Sequence, residues 1–304
     1  MKFDINQMRI LILGMREAYF RGENAMAWAR ENVTTDKNLL ENTLIAYDLQ
    51  AGSYRNVAIK NPKYFQDWSG QLAELIKPYI EKTDSILEVG IGEATTLAGV
   101  VQALNTPQLS TLGFDVSWSR IKVAQEWTAK NTVEAKLFVA DLFSIPLADN
   151  SIDVVYTSHS LEPNGGREKG AIKELLRVAR KAVVLVEPIY ELASEEAQVR
   201  MAQHGYVQGL KSTAEQMNVS VVEYGLLDVS WNSLNPSGVV VIDKKNYVGK
   251  KALDLKVLWQ CPITGVELKD QNDLFFAEET GIAYPVMRNI PMLRAEHGII
   301  ASKM

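Results

Sequence analysis

Three carboxylates stand at the ends of three apolar runs: Glu88 in Ile86-Leu87-Glu88-Val89, Asp115 after Thr111-Leu112-Gly113-Phe114, and Asp141 after Val139-Ala140. Glu88 lies two residues before the turn Gly90-Ile91-Gly92. Glycines there remove side chains where a ligand must approach the backbone closely. An acid beside such a turn suits a ligand with an ammonium group and repels a pyrophosphate. Alone, each acid reads as a helix cap or a solvated loop carboxylate; at three successive strand ends they argue for one shared ligand. His159, in Ser158-His159-Ser160-Leu161-Glu162, is a candidate general base because an ordinary imidazole titrates near neutrality. A packing or hydrogen-bonding role on that loop is its competing reading, and Glu162 is read as contacting substrate or capping the next helix.

These residues need a frame. Apolar positions Met8, Leu11, Ile12 and Met15, then Leu72, Leu75, Ile76 and Tyr79, recur at helical spacing, so residues 5–80 are expected to be mainly helical, with a turn at Asn61-Pro62. From Ser85 to Lys244, short apolar runs alternate with helical stretches, the pattern of a parallel sheet covered on both faces. One helix is expected over about 195–217, and the runs 219–224 and 238–242 are expected to form an antiparallel pair at the sheet edge. The last 50 or so residues carry short apolar runs and turns, hence a small β-rich unit. Three domains follow: a helical lid over 1–80, the α/β domain over 81–250 and the β-rich domain over 251–304.

The turn separates two ligand classes. A dinucleotide fold wants glycine five positions after Gly90, where this chain has Thr95. The stretch Glu88-Val89-Gly90-Ile91-Gly92, with Ala94 at the third small position, instead resembles the first motif of the class I S-adenosylmethionine-dependent methyltransferases. Asp115 fits both families. Val139-Ala140-Asp141-Leu142-Phe143-Ser144-Ile145-Pro146 and Arg177-Val178-Ala179-Arg180-Lys181 before Val183-Val184-Leu185-Val186-Glu187-Pro188 also resemble the methyltransferases, and the resemblance covers about residues 47–242. It implies an α/β, Rossmann-like seven-stranded methyltransferase sheet with S-adenosyl-L-methionine as cofactor. By the same resemblance, Glu88, Gly90 and Gly92 line the cofactor's amino-acid end, Asp115 binds ribose, Asp141 and Leu142 bracket adenine, and Val116 lies under the ring. Ser158 borders the site, and Tyr54, in a stretch resembling one that covers the cofactor, contacts it from the lid. Trp118 stays open between a cofactor contact and packing. His204 and Tyr206 are candidates for an acceptor pocket.

The strand before His159 lacks the Asn-Pro-Pro-Tyr type of motif that resembling enzymes use on exocyclic amines, so a small-molecule acceptor methylated on oxygen, a metabolite or a sugar, is the expected partner. The C-terminal stretch, with Cys261-Pro262 and Tyr284-Pro285 before Ile290-Pro291, resembles zinc-ribbon-like activators of RNA and protein methyltransferases. That keeps an RNA or translation-related protein acceptor as the alternative, beside a non-catalytic scaffold. With one cysteine in 304 residues, no four-cysteine zinc site or internal disulfide can form, and no metal is expected. A net charge of −5 disfavours nucleic acid without excluding a local basic patch. No apolar run approaches the ~20 residues of a membrane span, and a cytoplasmic location is expected.

Overall fold

The computed structural model describes residues 4–33, 40–244 and 258–303. The expected boundary at residues 250 and 251 lies outside them. The N-terminal region forms α1 (Ile5–Phe20), α2 (Ala25–Asn32), α3 (Leu40–Leu49), α4 (Ser53–Lys60) and α5 (Pro62–Ile76). Asp4 and Gln7 make a reciprocal capping box on α1, and Pro62 opens α5, where a missing N–H costs nothing.

The apolar runs become β1 (Ser85–Val89), β2 (Ser110–Asp115), β3 (Lys136–Val139), β4 (Ile152–Ser158) and β5 (Ala179–Pro188), separated by α6 (Thr95–Leu104), α7 (Trp118–Lys130) and α8 (Glu168–Val178). The expected single helix over 195–217 is two: α9 (Glu195–His204) ends at Gly205 and α10 (Leu210–Gln216) begins after Gly209, both glycines left-handed at φ 69° and 62°. A continuous helix would need right-handed backbone at both. β6 (Ser220–Leu226) and β7 (Ser237–Asp243) complete a seven-stranded sheet in the order β3-β2-β1-β4-β5-β7-β6. β1 to β5 pair in parallel, whereas β7 inserts antiparallel between β5 and β6, leaving β6 at the edge. The order reverses between β1 and β4, so their carboxyl ends open a crevice where ligands of such sheets bind. At the opposite end, Lys181 Nζ meets Asp84 at 2.5 Å and Arg180 pairs with Asp153, tying the starts of β4 and β5 to the segment before β1.

The C-terminal residues form β8 (Lys269–Asp270), β9 (Leu274–Ala277), β10 (Ile282–Met287), β11 (Ile290–Pro291) and β12 (Ile299–Ile300). They dock on the β3 edge: Leu293 N donates to Val139 O at 2.8 Å, and Trp259 packs edge-on to Phe138 with ring centroids 5.1 Å apart. Trp118 donates through Nε1 to Met287 O at 3.4 Å, so it faces this unit. Buried Cys261 finds a partner in the Tyr284 hydroxyl at 3.3 Å, and among the described residues no cluster of three side chains suited to a metal occurs. No helix among them is long and apolar enough to cross a membrane.

Candidate functional site

The crevice is a cavity of about 700 Å³, within the ~300–1,000 Å³ usual for small-molecule sites. The candidate base and the candidate cofactor residues Tyr54, Glu88, Gly90, Gly92, Asp115, Val116, Asp141, Leu142, Ser158 and His159 line it, whereas Trp118 does not. Tyr206 lines it too; His204 does not, and stacks on the Tyr206 ring instead, centroids 5.4 Å apart.

The floor is the turn after β1. Gly90 and Gly92 hold φ of 68° and 52°, and a Cβ at Gly90 would stand 2.4 Å from Ser160 Cβ. Only glycine allows both the backbone and this approach of the β1 turn to the β4 loop. The Gly92 N–H donates to Asp115 Oδ2 at 3.0 Å and the Ser117 N–H to Asp115 Oδ1 at 2.9 Å, aligning that carboxylate beside the turn. Asp141 accepts from the Phe143 N–H at 2.8 Å, folding its own loop against the cavity. Burial pushes the Glu88 carboxyl up to about 8, opposed by its 2.6 Å hydrogen bond from the Tyr156 hydroxyl.

Two residues that sequence reasoning missed tie the N-terminal helices to this floor. Glu93, 1% exposed, accepts the N–H groups of Gly52 at 2.8 Å and Arg55 at 2.7 Å, capping α4 across 41 positions of chain. Arg120, 5% exposed, lies with its guanidinium 4.0 Å from the Tyr47 ring centroid and 4.8 Å from that of Tyr54. Among the described residues its Nε has no hydrogen-bond partner, and a Cβ on Gly92 would reach its Nη1 at 3.3 Å. This buried guanidinium lies over the glycine turn, and its charge opposes the burial that raises the Asp115 carboxyl.

At the β4 end, His159 holds φ of 56°, an unusual conformation for a residue with a side chain and one that recurs at functional sites. Its Nδ1 is 2.8 Å from Glu162 Oε2 and its Nε2 is 2.8 Å from Ser237 Oγ. Burial lowers its pKa, but the Glu162 and Glu187 carboxylates together more than offset this and hold it above the ordinary value. Glu162 is therefore a partner of His159; it does not cap α8, whose N-cap residue is Arg167. Glu187, fully buried on β5, accepts the N–H groups of Ser160, Leu161 and Glu162, at 3.1, 3.0 and 3.0 Å, and so shapes the loop; burial pushes its own carboxyl up to about 7. Asn235 donates to Glu162 Oε2 at 3.2 Å and lines the cavity, as do Ser237 and Trp231.

Residues 86–182 match the family model of a methyltransferase domain. Among solved structures, the chain is similar to magnesium protoporphyrin IX methyltransferase of Synechocystis PCC 6803 with bound SAH, at 13% identity over 66% of this chain and 99% of that one, TM-score 0.52. It is also similar to a chain from the complex of the Haloferax volcanii Trm112 methyltransferase activator with a methyltransferase, at 14% identity over 65% of this chain and 96% of that one, TM-score 0.49. No curated protein matches the chain. At such identities the likeness speaks to the fold: the sheet order and the matched domain are those of an S-adenosylmethionine-dependent methyltransferase.

Proposed function

We propose that this S-adenosylmethionine-dependent methyltransferase moves the methyl group to an oxygen atom of a small molecule held against His159. The cavity residues fit the cofactor on three observations: the glycine turn leaves no room for a Cβ at Gly90, Arg120 carries a buried nitrogen without a partner, and Glu88 is a buried carboxyl beside the turn. Glu88 would face the cofactor's ammonium, Arg120 its carboxylate, Asp115 the ribose, and Asp141 and Leu142 the adenine over Val116. When bound, S-adenosylmethionine supplies an electrophilic methyl group on a sulfonium.

The chain then has two tasks: to align the acceptor and exclude water, and to take up the acceptor's proton. The lid residues Tyr47, Tyr54, Tyr64 and Trp68 line the cavity together with the strand ends, which supports enclosure of a small acceptor over a macromolecular one. The observation that carries the oxygen chemistry is the array Glu162, His159 and Ser237. With Glu162 accepting from Nδ1, neutral His159 presents a lone pair at Nε2 toward the Ser237 hydroxyl. An acceptor hydroxyl bonded to Ser237 Oγ passes its proton through that hydroxyl to Nε2, and the imidazolium formed lies against Glu162.

The C-terminal unit, by its resemblance to methyltransferase activators, is read as a built-in support that covers the β3 edge beside the Asp141 loop. The test of the whole reading is a screen of small hydroxylated compounds with methyl-labelled S-adenosylmethionine. Transfer to a hydroxyl, lost in His159→Gln while binding of S-adenosylhomocysteine persists, is expected. Label appearing in RNA or protein instead would overturn it.

A further inference from the structure

Beyond the turn and the base, the cavity carries two arginines that the methyl-transfer scheme does not use. Arg167 stands at the start of α8 and stacks on Phe143, its guanidinium carbon 3.4 Å from the ring centroid. Arg200, on α9, donates to Leu234 O at 3.4 Å and bonds the Tyr206 hydroxyl. Both line the cavity, and no carboxylate lies within ion-pair distance of either among the described residues, unlike neighbouring Arg177 and Arg180.

The backbone ties together the segments that carry the exposed Arg167 and the part-buried Arg200. Gly165 N donates to Gly205 O at 3.1 Å and Val207 N to Glu162 O at 3.0 Å, so the loop before α8 is zipped to the turn after α9. The carboxylates nearby are already engaged. Glu162 is held by His159 and Asn235, and Glu187 by three backbone N–H groups. The same cavity is lined by flat apolar surfaces: Trp231 meets Tyr64 edge-on at 4.6 Å between centroids, and Trp68 lies 5.7 Å from the His159 ring. An aromatic wall, a proton-accepting histidine and two guanidiniums without anions describe complementary features of one ligand.

We infer that the acceptor is a planar hydroxy acid: its carboxylate is read by Arg200 and Arg167, its ring lies along Tyr64, Trp68 and Trp231, and its hydroxyl is directed to Ser237 and His159. This rests on the methyltransferase reading above and narrows its substrate class. The guanidinium fork selects the anion, because a neutral amide of the same shape leaves two cations unmet.

The experiment uses calorimetry on the full chain saturated with S-adenosylhomocysteine, with hydroxybenzoates and hydroxycinnamates each paired with its own amide. At least one acid is expected to bind roughly tenfold more tightly than its amide, the scale of a charge-assisted hydrogen bond. The double variant Arg167→Gln/Arg200→Gln is expected to erase that advantage while keeping the wild-type affinity for S-adenosylhomocysteine, which reports an intact fold. The single variant Arg200→Gln should lose most of it. Equal binding of acid and amide, an advantage that survives the double variant, or binding of none of the acids overturns the inference. Failure of S-adenosylhomocysteine to bind the wild-type chain at the outset would instead overturn the cofactor reading, so the two failures are distinguishable.

Discussion

Binding of the cofactor product should release a proton, and Glu88 is its source. The carboxyl is enclosed at the end of β1 with one hydrogen bond, from Tyr156, and burial holds it at about 8. At pH 7 a carboxyl of that pKa is about nine-tenths protonated. An ammonium within ~4–6 Å lowers a carboxylate by ~1–3 units, so binding of S-adenosylhomocysteine frees between about 0.4 and 0.9 of a proton per site. The assay is titration calorimetry at pH 7 in phosphate and in Tris, whose ionisation enthalpies differ; the slope of observed enthalpy against buffer enthalpy counts the protons. Affinity should climb as pH rises toward 8 and level off above it. Glu88→Gln should flatten the slope and weaken binding. Glu187, pushed up to about 7, and His159, held above its ordinary value, also titrate, and the variant separates their contribution from that of Glu88. A zero slope in the wild-type chain, or an unchanged slope in Glu88→Gln, would refute the reasoning.

Two further outcomes are expected. His159 is held above its ordinary pKa of 6.5 by Glu162 with a further contribution from Glu187, so transfer to a hydroxyl should rise with pH through a value above 6.5, and Glu162→Gln should move that limb to lower pH. The same shift makes the Glu162 contact stabilising below the unfolded value and lost as pH climbs through the folded one, which thermal unfolding between pH 5 and 9 would register; an identical limb in Glu162→Gln contradicts the pairing. Glu93→Ala removes the acceptor for the N–H groups of Gly52 and Arg55 and should cost about 1–2 kcal/mol in chemical unfolding, with faster proteolysis within residues 40–60. Proteolysis at the wild-type rate would show that Glu93 does not latch the lid.

Local signals made the frame legible. The parallel strands β1 to β5 each carry a short apolar run, and the acids at Glu88, Asp115 and Asp141 lie at the ends of three of them, where a doubly wound sheet collects ligands. What escaped depends on pairing across long stretches of chain. Nothing around Glu93 announces that it caps a helix 41 residues upstream, and Arg120 reads as an ordinary helix residue until α3 and α4 lay Tyr47 and Tyr54 over it. Glu187 looked like the end of a strand, whereas its carboxylate orders the loop of His159. Ser237, Asn235 and Trp231 come from the far end of the fold and enter the cavity only because β7 inserts beside β5. The break between α9 and α10 had a local signal in Gly205 and Gly209, outweighed by the helical pattern running through it. The docking of the C-terminal unit on β3 is an edge pairing, which periodicity within a segment cannot report.

The central claim is that S-adenosylmethionine sits in this cavity with its ribose on Asp115. The most direct measurement is calorimetric binding of S-adenosylhomocysteine to the wild-type chain and to Asp115→Ala, with NAD as the control ligand. Saturable binding by the wild type, abolished in Asp115→Ala, and no binding of NAD is predicted. Unchanged affinity in Asp115→Ala, or binding of NAD in place of S-adenosylhomocysteine, would contradict it.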